Sequence, residues 1–296
     1  MSFSRILVTG ATGFLGGHVV HQALQDGYVV RIVTRPEKIS AAQEQFGDKV
    51  EVFAVNNGQP ADYTEALKDV GAVIHLAAAL PFGNSREEIL SSIIDGVRSI
   101  VSQALSARVF KVVIAGSYVT ALTDYSLVFS DHKITEAVGF STAYGPFSSG
   151  FKVAKGDFGR MSTNSAFYRG DLPDPPRRKL AAIQKIPHPV TVDIRDVAKA
   201  HILALSAPST NNVGRKRILI SGPNFSYKQA VEHLAKVRPE LRGRLGDPSD
   251  VEEAPVPTID QTRAIEVLGL TKYTGWETTV EDTADSLLAM ERSWQA

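Results

Sequence analysis

The stretch TGATGFLG, residues 9–16, decides the fold of this chain. An apolar run over residues 5–8 precedes it, and a segment with apolar residues at helical spacing follows it. A glycine-rich turn between a strand and a helix is the setting in which such a turn binds the pyrophosphate of a dinucleotide. An ordinary strand-to-helix turn is the alternative, but the surrounding pattern favours a nucleotide site.

The residues of this turn have distinct predicted roles. Gly10 permits the tight turn, Gly13 lets the backbone approach the pyrophosphate, and Gly16 lets the helix pack close to its strand. The helix N-terminus offers backbone N–H groups and the positive end of its dipole to the phosphates. The predicted cofactor contacts of this turn are Gly10, Thr12, Gly13, Phe14 and Leu15.

The first half of the chain alternates between strand and helix patterns. Short, nearly continuous apolar runs predict further strands over 29–34, 50–55, 72–76 and 109–115. Helical patterns lie over 61–68 and 87–107. Strands of this kind are buried on both faces by crossover helices. The sequence therefore predicts an α/β fold of Rossmann type, a doubly wound parallel sheet with a smaller C-terminal substrate region.

The end of the second strand indicates which cofactor is bound. A site that prefers NAD usually carries an acidic residue there, which binds the ribose 2′-hydroxyl. This strand ends instead at Thr34-Arg35-Pro36, with Lys38 nearby. A guanidinium suits the 2′-phosphate of NADP, although a solvated arginine in a loop is the alternative. We therefore predict NADP as the cofactor.

Composition excludes several classes of partner. The 296 residues contain 32 Lys and Arg and 32 Asp and Glu, so the charge gives no reason to expect nucleic acid or an anionic membrane. No apolar run is long enough to span a bilayer, and we expect no signal peptide and a cytoplasmic location. The chain has no cysteine. His18 and His21 share a helix face without an evident third ligand, so no metal site is predicted.

Several stretches resemble the extended short-chain dehydrogenase/reductase family, in particular its dihydroflavonol-reductase-like and fungal carbonyl-reductase-like members, which are NAD-dependent epimerase/dehydratase proteins. They are the TGxxGxxG turn, 69–78, 192–201 and the C-terminal residues from 266 onward. The resemblance implies hydride transfer between NADP(H) and a carbonyl or alcohol of a small-molecule substrate. It implies that Ser117 hydrogen-bonds the substrate carbonyl, and that Ala77 and Ala78 lie against the cofactor ribose. Close helix packing would select the same small residues.

The chain departs from the family at the catalytic helix, where a tyrosine and a lysine four residues later are expected. No tyrosine after Ser117 has a lysine at that spacing. One interpretation makes 151–155 the motif, with Phe151 replacing the tyrosine and Lys155 retained. The other makes Tyr144 the start of a later Tyr-Gly-Pro element that lies near the cofactor. Glycines around 151–155 make a poor helix, which favours the second interpretation.

The second interpretation has four consequences. The catalytic helix is missing and the active site is degenerate. The alternative function is therefore a cofactor-binding protein without redox activity, either a regulatory or scaffolding module or a non-redox isomerase. The sixth strand covers 138–143. The dinucleotide-binding domain covers 1–143 with a return segment over 190–221, and the substrate-binding region covers 144–189 and 222–296. The long helix over 87–107 loses its family neighbour, which predicts a homodimer through a rearranged surface, or poor solubility.

Overall fold

The structure is a computed structural model, which describes residues 4–55, 61–78, 86–118, 133–134, 139–171, 190–214, 216–248 and 256–295. Its strands are β1 Arg5–Thr9, β2 Val29–Thr34, β3 Val50–Ala54, β4 Ala72–His75, β5 Lys111–Ile114, β6 Lys133–Ile134, β7 Gly139–Phe140, β8 Thr142–Tyr144, β9 Thr191–Asp193, β10 Leu219–Ile220 and β11 Thr258–Ile259. Its α-helices are α1 Phe14–Gln25, α2 Ile39–Phe46, α3 Arg86–Ser106, α4 Asn164–Asp171, α5 Ile194–Ser206, α6 Thr210–Val213, α7 Tyr227–Val237, α8 Thr262–Leu268 and α9 Trp276–Ser293.

A parallel five-stranded sheet, in the order β3-β2-β1-β4-β5, forms the centre of the N-terminal part. Its middle strand β1 is deeply buried, with Ile6, Leu7 and Val8 all at 0% exposure. The strand order reverses on either side of β1, and ligands of such sheets bind at the carboxyl ends of the strands next to the reversal. The predicted Rossmann-type fold is confirmed.

A buried arginine fixes the segment between β3 and β4. Arg31 lies on β2, and its Nη2 is 2.6 Å from Glu51 Oε2 on β3. Its Nη1 donates to the carbonyl oxygens of Ala66 and Lys68, each at 2.9 Å. The hydrogen bond from Arg31 lowers the pKa of Glu51. The helix predicted over 61–68 is wrong, because residues 64–69 form turns. The Ala66 and Lys68 carbonyl groups of these turns are satisfied by Arg31.

The chain divides into two compact units. The first comprises Met1–Ala115, Ser148–Phe151 and His201–Ser206, and the second comprises Gly116–Phe147, Lys152–Ala200 and Ala207–Ala296. The predicted domain boundaries at 143, 190 and 221 concern where cofactor and substrate bind, and they stay a prediction.

In the second unit, a charged network joins the segment after β9 to the final helix. Asp193 accepts hydrogen bonds from Arg195 Nη2 at 2.7 Å and from Thr279 Oγ1 at 2.8 Å. Arg195 Nη1 also donates to Asp282 at 2.6 Å. These bonds raise the pKa of the Arg195 guanidinium, chiefly through Asp193. The buried Asp193 is thus neutralised by a cation two residues along the chain.

Short strands surround this network. The sixth strand predicted over 138–143 is present as two pieces, of which β7 pairs with β10 and β8 pairs with β9. The helix α7 begins with a capping box between Ser226 and Gln229. The helix predicted over 87–107 is confirmed as α3.

Candidate functional site

The glycine-rich turn is shaped by contact with the end of β4. Gly10 has φ of +69°, a left-handed conformation that favours glycine. A Cβ on Gly10 would lie 2.8 Å from the Ala77 backbone nitrogen. The turn therefore needs glycine for two independent reasons, and the predicted tight turn at Gly10 is confirmed.

The first turn of α1 lies directly on this turn. A Cβ on Gly16 would lie 2.1 Å from the Gly10 carbonyl oxygen and 2.7 Å from Ala11 Cα. The packing at Gly16 was predicted against the strand, whereas the contacts that a Cβ would meet are made by Gly10 and Ala11 of the turn that follows the strand. Close contact of this kind fixes the position of the helix N-terminus relative to the sheet.

The helix N-terminus has the properties of an anion site. Gly13 is its exposed N-cap and makes no side-chain capping bond. The first N–H groups of a helix have no acceptor inside it, and their dipole favours negative charge. A Cβ on Gly13 would meet only the Gly10 carbonyl oxygen, at 3.2 Å. These residues fit a pyrophosphate bound at the start of α1.

The other predicted contacts of the turn differ in exposure. Thr12 and Leu15 are half-buried, whereas Phe14 is buried and its ring meets the His18 ring edge-on at 6.3 Å. Ala77 and Ala78 follow β4 and are exposed. The structure thus brings Ala77 beside Gly10, as a shared cofactor site requires.

A threonine–histidine pair supports this junction, and only the histidine was considered from the sequence. Thr9 Oγ1 is 2.8 Å from His75 Nδ1, and it accepts hydrogen bonds from the Leu76 and Ala77 backbone N–H groups at 3.2 Å each. Two accepted bonds use both lone pairs of the hydroxyl oxygen, so its proton is donated to Nδ1. Burial lowers the pKa of His75, in agreement with a neutral ring. His75 is therefore a buried histidine whose Nδ1 has a hydrogen-bond partner.

Arg35 lies at the same edge of the sheet, directly after β2. Its side chain is 45% exposed, and its Nε is 3.4 Å from Glu37 Oε1. Glu37 lies in the short 3₁₀ segment Pro36–Lys38. Within it, the Lys38 N–H donates to the Arg35 carbonyl oxygen at 2.9 Å. Because β1, β2 and β4 are adjacent and parallel, Arg35, the glycine turn and Ala77 share one sheet edge.

Tyr144 lies in the second unit, within an aromatic cluster that we define as Tyr144, Phe167, Phe225 and Tyr227. It is 2% exposed, and its hydroxyl is 2.6 Å from the Tyr227 hydroxyl. The ring centroids of its three partners lie 5.7–6.4 Å away. Sequence reasoning missed Tyr227, although the capping box at Ser226 marks it as the first residue of a helix. The predicted contact of Tyr144 with a cofactor stays a prediction.

The structure distinguishes between the two interpretations of the catalytic segment. Residues 151–154 have no regular structure, and Lys155 is exposed in a turn with Gly156, whose φ is +89°. Phe151 and Lys155 therefore do not share a helix, and the interpretation that places the catalytic motif there is wrong. Ser117 is exposed and belongs to the second unit. Its predicted role at the substrate carbonyl stays a prediction.

Two other kinds of site were searched for within the described ranges. There, no group of three or more His, Asp and Glu side chains is arranged to hold a metal ion. No helix in the same ranges is long and apolar enough to cross a membrane. Residues 172–189 of the predicted substrate-binding region lie outside the described residues.

Comparison with known proteins agrees with the resemblance inferred from the sequence. Residues 6–145 match the NAD dependent epimerase/dehydratase family. The chain is 25% identical to a ketoreductase of Penicillium roqueforti over 336 aligned positions, which cover 97% of this chain and 96% of the relative. It is 24% identical to the NADPH-dependent methylglyoxal reductase of Saccharomyces cerevisiae, over 97% of this chain and 98% of the relative. The predicted resemblance is confirmed.

Solved structures with the same fold cover nearly the whole chain. The yeast methylglyoxal/isovaleraldehyde reductase complexed with NADPH superposes with a TM-score of 0.77 at 20% identity, covering 97% of this chain and 99% of that one. Vestitone reductase from alfalfa superposes with a TM-score of 0.67 at 16% identity, covering 98% and 99%. At these identities the likeness establishes the fold alone.

Proposed function

We propose that this chain, whose residues 6–145 match the NAD dependent epimerase/dehydratase family, is an NADP(H)-dependent oxidoreductase that acts on the carbonyl or alcohol group of a small organic molecule. The observation that carries the proposal is the glycine turn, in which Gly10 and Gly16 are each in contact too close for a Cβ. This packing exposes the start of α1 for a pyrophosphate. The bound nicotinamide would supply the hydride.

The proposed cofactor contacts follow one sheet edge. The pyrophosphate lies over Gly10, Thr12, Gly13, Phe14 and Leu15. The ribose lies against Ala77 and Ala78, which are exposed beyond β4, and Tyr144 is a further proposed contact.

NADP is the preferred cofactor in this proposal because Arg35 lies exposed at the end of β2. A guanidinium binds a phosphate more strongly than a hydroxyl, since the hydrogen bonds are charge-assisted. The yeast relative is named as NADPH-dependent, which supports the same choice.

The substrate class is an aldehyde or ketone. The relatives are named as ketoreductases and as a methylglyoxal reductase, which are reductases of small carbonyl compounds. Ser117 is the proposed hydrogen-bond donor to the substrate carbonyl. In this proposal, the dinucleotide-binding domain comprises residues 1–143 and 190–221. The substrate-binding region comprises residues 144–189 and 222–296.

A degenerate active site is part of the proposal. The alignment with the Penicillium ketoreductase has 336 positions, whereas this chain has 296 residues, so the relative carries segments that this chain lacks. The absence of a tyrosine–lysine pair in the sequence agrees with loss of the helix that carries it. We expect the reaction to be slow for this reason.

A homodimer and a cytoplasmic location complete the proposal. Helix α3 exposes Leu90, Ile93 and Ile94 on one stripe, and Leu105 is exposed near its C-terminal end. Side chains at spacings of three and four residues share a helix face, and exposed apolar stripes of this kind favour association. The location rests on the expectation drawn from the sequence.

The test is a calorimetric titration of the full chain with NADPH and with NADH. We expect NADPH to bind more tightly, and Arg35→Ala to remove most of the preference, roughly a tenfold or larger effect for a charge-assisted contact. Glu65→Gln is the matched control, because it changes an exposed charge of the same unit that pairs with Lys68. Failure of the unmodified chain to bind either dinucleotide would overturn the proposed function.

A further inference from the structure

The exposed Arg35 side chain forms an ion pair with the carboxylate of Glu37. The Arg35 Nε and Glu37 Oε1 atoms are 3.4 Å apart, and the two side chains are 45% and 63% exposed. The 3₁₀ turn Pro36–Lys38 fixes the backbone between them, and Lys38 N–H closes it by bonding to the Arg35 carbonyl at 2.9 Å. The pair is therefore a local arrangement produced by one short turn.

The distance in sequence between Glu37 and the glycine turn is similar to that of the acidic residue in NAD sites. In NAD sites, an acidic residue about 20 residues beyond the glycine turn accepts a hydrogen bond from the ribose 2′-hydroxyl. Glu37 lies at about this distance beyond Gly16, although it follows the end of β2 by a few residues. One turn thus carries a group suited to a 2′-phosphate and a group suited to a 2′-hydroxyl.

We propose that Glu37 is a specificity-determining residue that opposes Arg35 and limits the preference of the site for NADP(H) over NAD(H). This inference rests on the proposed function, since it concerns the same nucleotide site. Its basis is the Arg35–Glu37 ion pair at the carboxyl end of β2.

The opposition has two physical causes. A 2′-phosphate binds an arginine best through two guanidinium nitrogens, and Glu37 already engages the guanidinium at Nε. The phosphate must therefore share the guanidinium with a carboxylate or displace it. The phosphate and the carboxylate also repel each other, whereas a 2′-hydroxyl can donate a hydrogen bond to Glu37. Both causes weaken NADP(H) relative to NAD(H).

The experiment measures the dissociation constants of NADP⁺ and NAD⁺ by calorimetry, for the full chain and for Glu37→Gln. Glutamine keeps the size of the side chain and removes its charge. We expect the ratio of the NAD⁺ to the NADP⁺ dissociation constant to increase roughly fivefold, the size of effect expected for one exposed charge. The increase should diminish in high salt. Glu65→Gln, which removes an exposed carboxylate elsewhere in the same unit, should leave the ratio unchanged.

A second probe isolates the 2′ position from the nicotinamide. Adenosine 2′,5′-bisphosphate should bind more tightly to Glu37→Gln than to the unmodified chain. Adenosine 5′-monophosphate, which lacks the 2′-phosphate, should bind to the variant no more tightly than to the unmodified chain. If Glu37→Gln binds both dinucleotides but its ratio of the NAD⁺ to the NADP⁺ dissociation constant is unchanged or lower, this inference is overturned. The proposed function would remain intact. Absence of binding to either dinucleotide in the unmodified chain would overturn the proposed function and this inference together.

Discussion

Thr9 and His75 end two adjacent parallel strands, and the 2.8 Å contact between Thr9 Oγ1 and His75 Nδ1 joins them beneath the glycine turn. Both side chains are almost wholly buried. The same hydroxyl also receives the backbone N–H groups of Leu76 and Ala77. One oxygen atom therefore links β1, β4 and the segment against which Gly10 packs.

Replacement of Thr9 by valine should destabilise the N-terminal unit. Valine keeps the shape of the side chain but leaves two backbone N–H groups and His75 Nδ1 without their partner. Each buried polar group left unsatisfied costs about 1–3 kcal/mol. Urea denaturation followed by circular dichroism should show a lower midpoint. Thr9→Ser, which retains the hydroxyl, should lie much closer to the unmodified chain, and equal midpoints for Thr9→Val and Thr9→Ser would contradict the assigned role.

Stability should decrease as the pH falls below the ordinary pKa of histidine. Burial lowers the pKa of His75 in the folded chain below its usual value of 6.5. Between these two pKa values the unfolded chain binds more protons, so the free energy of unfolding rises with pH. The contribution is fully present above about pH 6.5. It is lost as the pH falls through the folded-state pKa.

Denaturation midpoints measured at a series of pH values check this prediction. His75→Asn should show a weaker pH dependence in the same range, because its amide oxygen can accept the Thr9 proton but does not titrate. A variant whose pH dependence matches that of the unmodified chain would show that other groups are responsible.

The sheet was predictable because its signal is local. Apolar runs of four to six residues determine the buried strands β1 to β5, and each lies within three residues of its predicted ends. The turn over 64–69 was not predictable in this way, because its carbonyl groups are bonded by Arg31 from a distant strand. Local apolar spacing there is compatible with a helix, so the sequence pattern alone does not distinguish the two structures.

In the candidate site, too, features that depend on local sequence were predictable and features that depend on distant contacts were not. Gly10 and Gly16 were predicted from spacing alone, since glycine is required wherever backbone approaches backbone. Thr9 was missed, because its partners lie more than 60 residues away in sequence. The hydroxyl pair of Tyr144 and Tyr227 spans 83 positions, and no sequence pattern indicates it.

Addition of one methyl group at Gly16 should remove nucleotide binding. In Gly16→Ala the new Cβ would lie 2.1 Å from the Gly10 carbonyl oxygen, so the backbone of the turn has to move. Overpacking of this kind costs about 1–3 kcal/mol and shifts the helix N-terminus away from the phosphates. Calorimetry with NADPH and thermal denaturation check both effects.

A second glycine provides the control for this substitution. Gly96 lies inside α3, and a Cβ there would meet no atom within 4 Å among the described residues beyond its own helix backbone. Gly96→Ala should therefore leave NADPH binding unchanged and stabilise the chain by roughly 0.5–1 kcal/mol, because alanine is the better helix former. Tight NADPH binding by Gly16→Ala would show that the turn tolerates rearrangement and would contradict the packing argument.

The rate of carbonyl reduction should be low even when NADPH binds well. Hydride transfer leaves an oxyanion that requires a proton, and a well-placed general acid contributes roughly 10²–10⁴-fold in rate. No tyrosine of the sequence beyond Ser117 has a lysine four residues later, and Lys155 is exposed beside Gly156 rather than on a helix. Ser117 can donate a hydrogen bond to the carbonyl, but a serine hydroxyl is a much weaker acid than a phenol. We expect NADPH consumption with methylglyoxal and with aromatic ketones to be slower by about this factor than for the yeast methylglyoxal reductase measured in parallel. Turnover at the yeast rate, abolished by Ser117→Ala or by Lys155→Ala, would reveal another proton donor and show that loss of the catalytic helix does not limit the reaction.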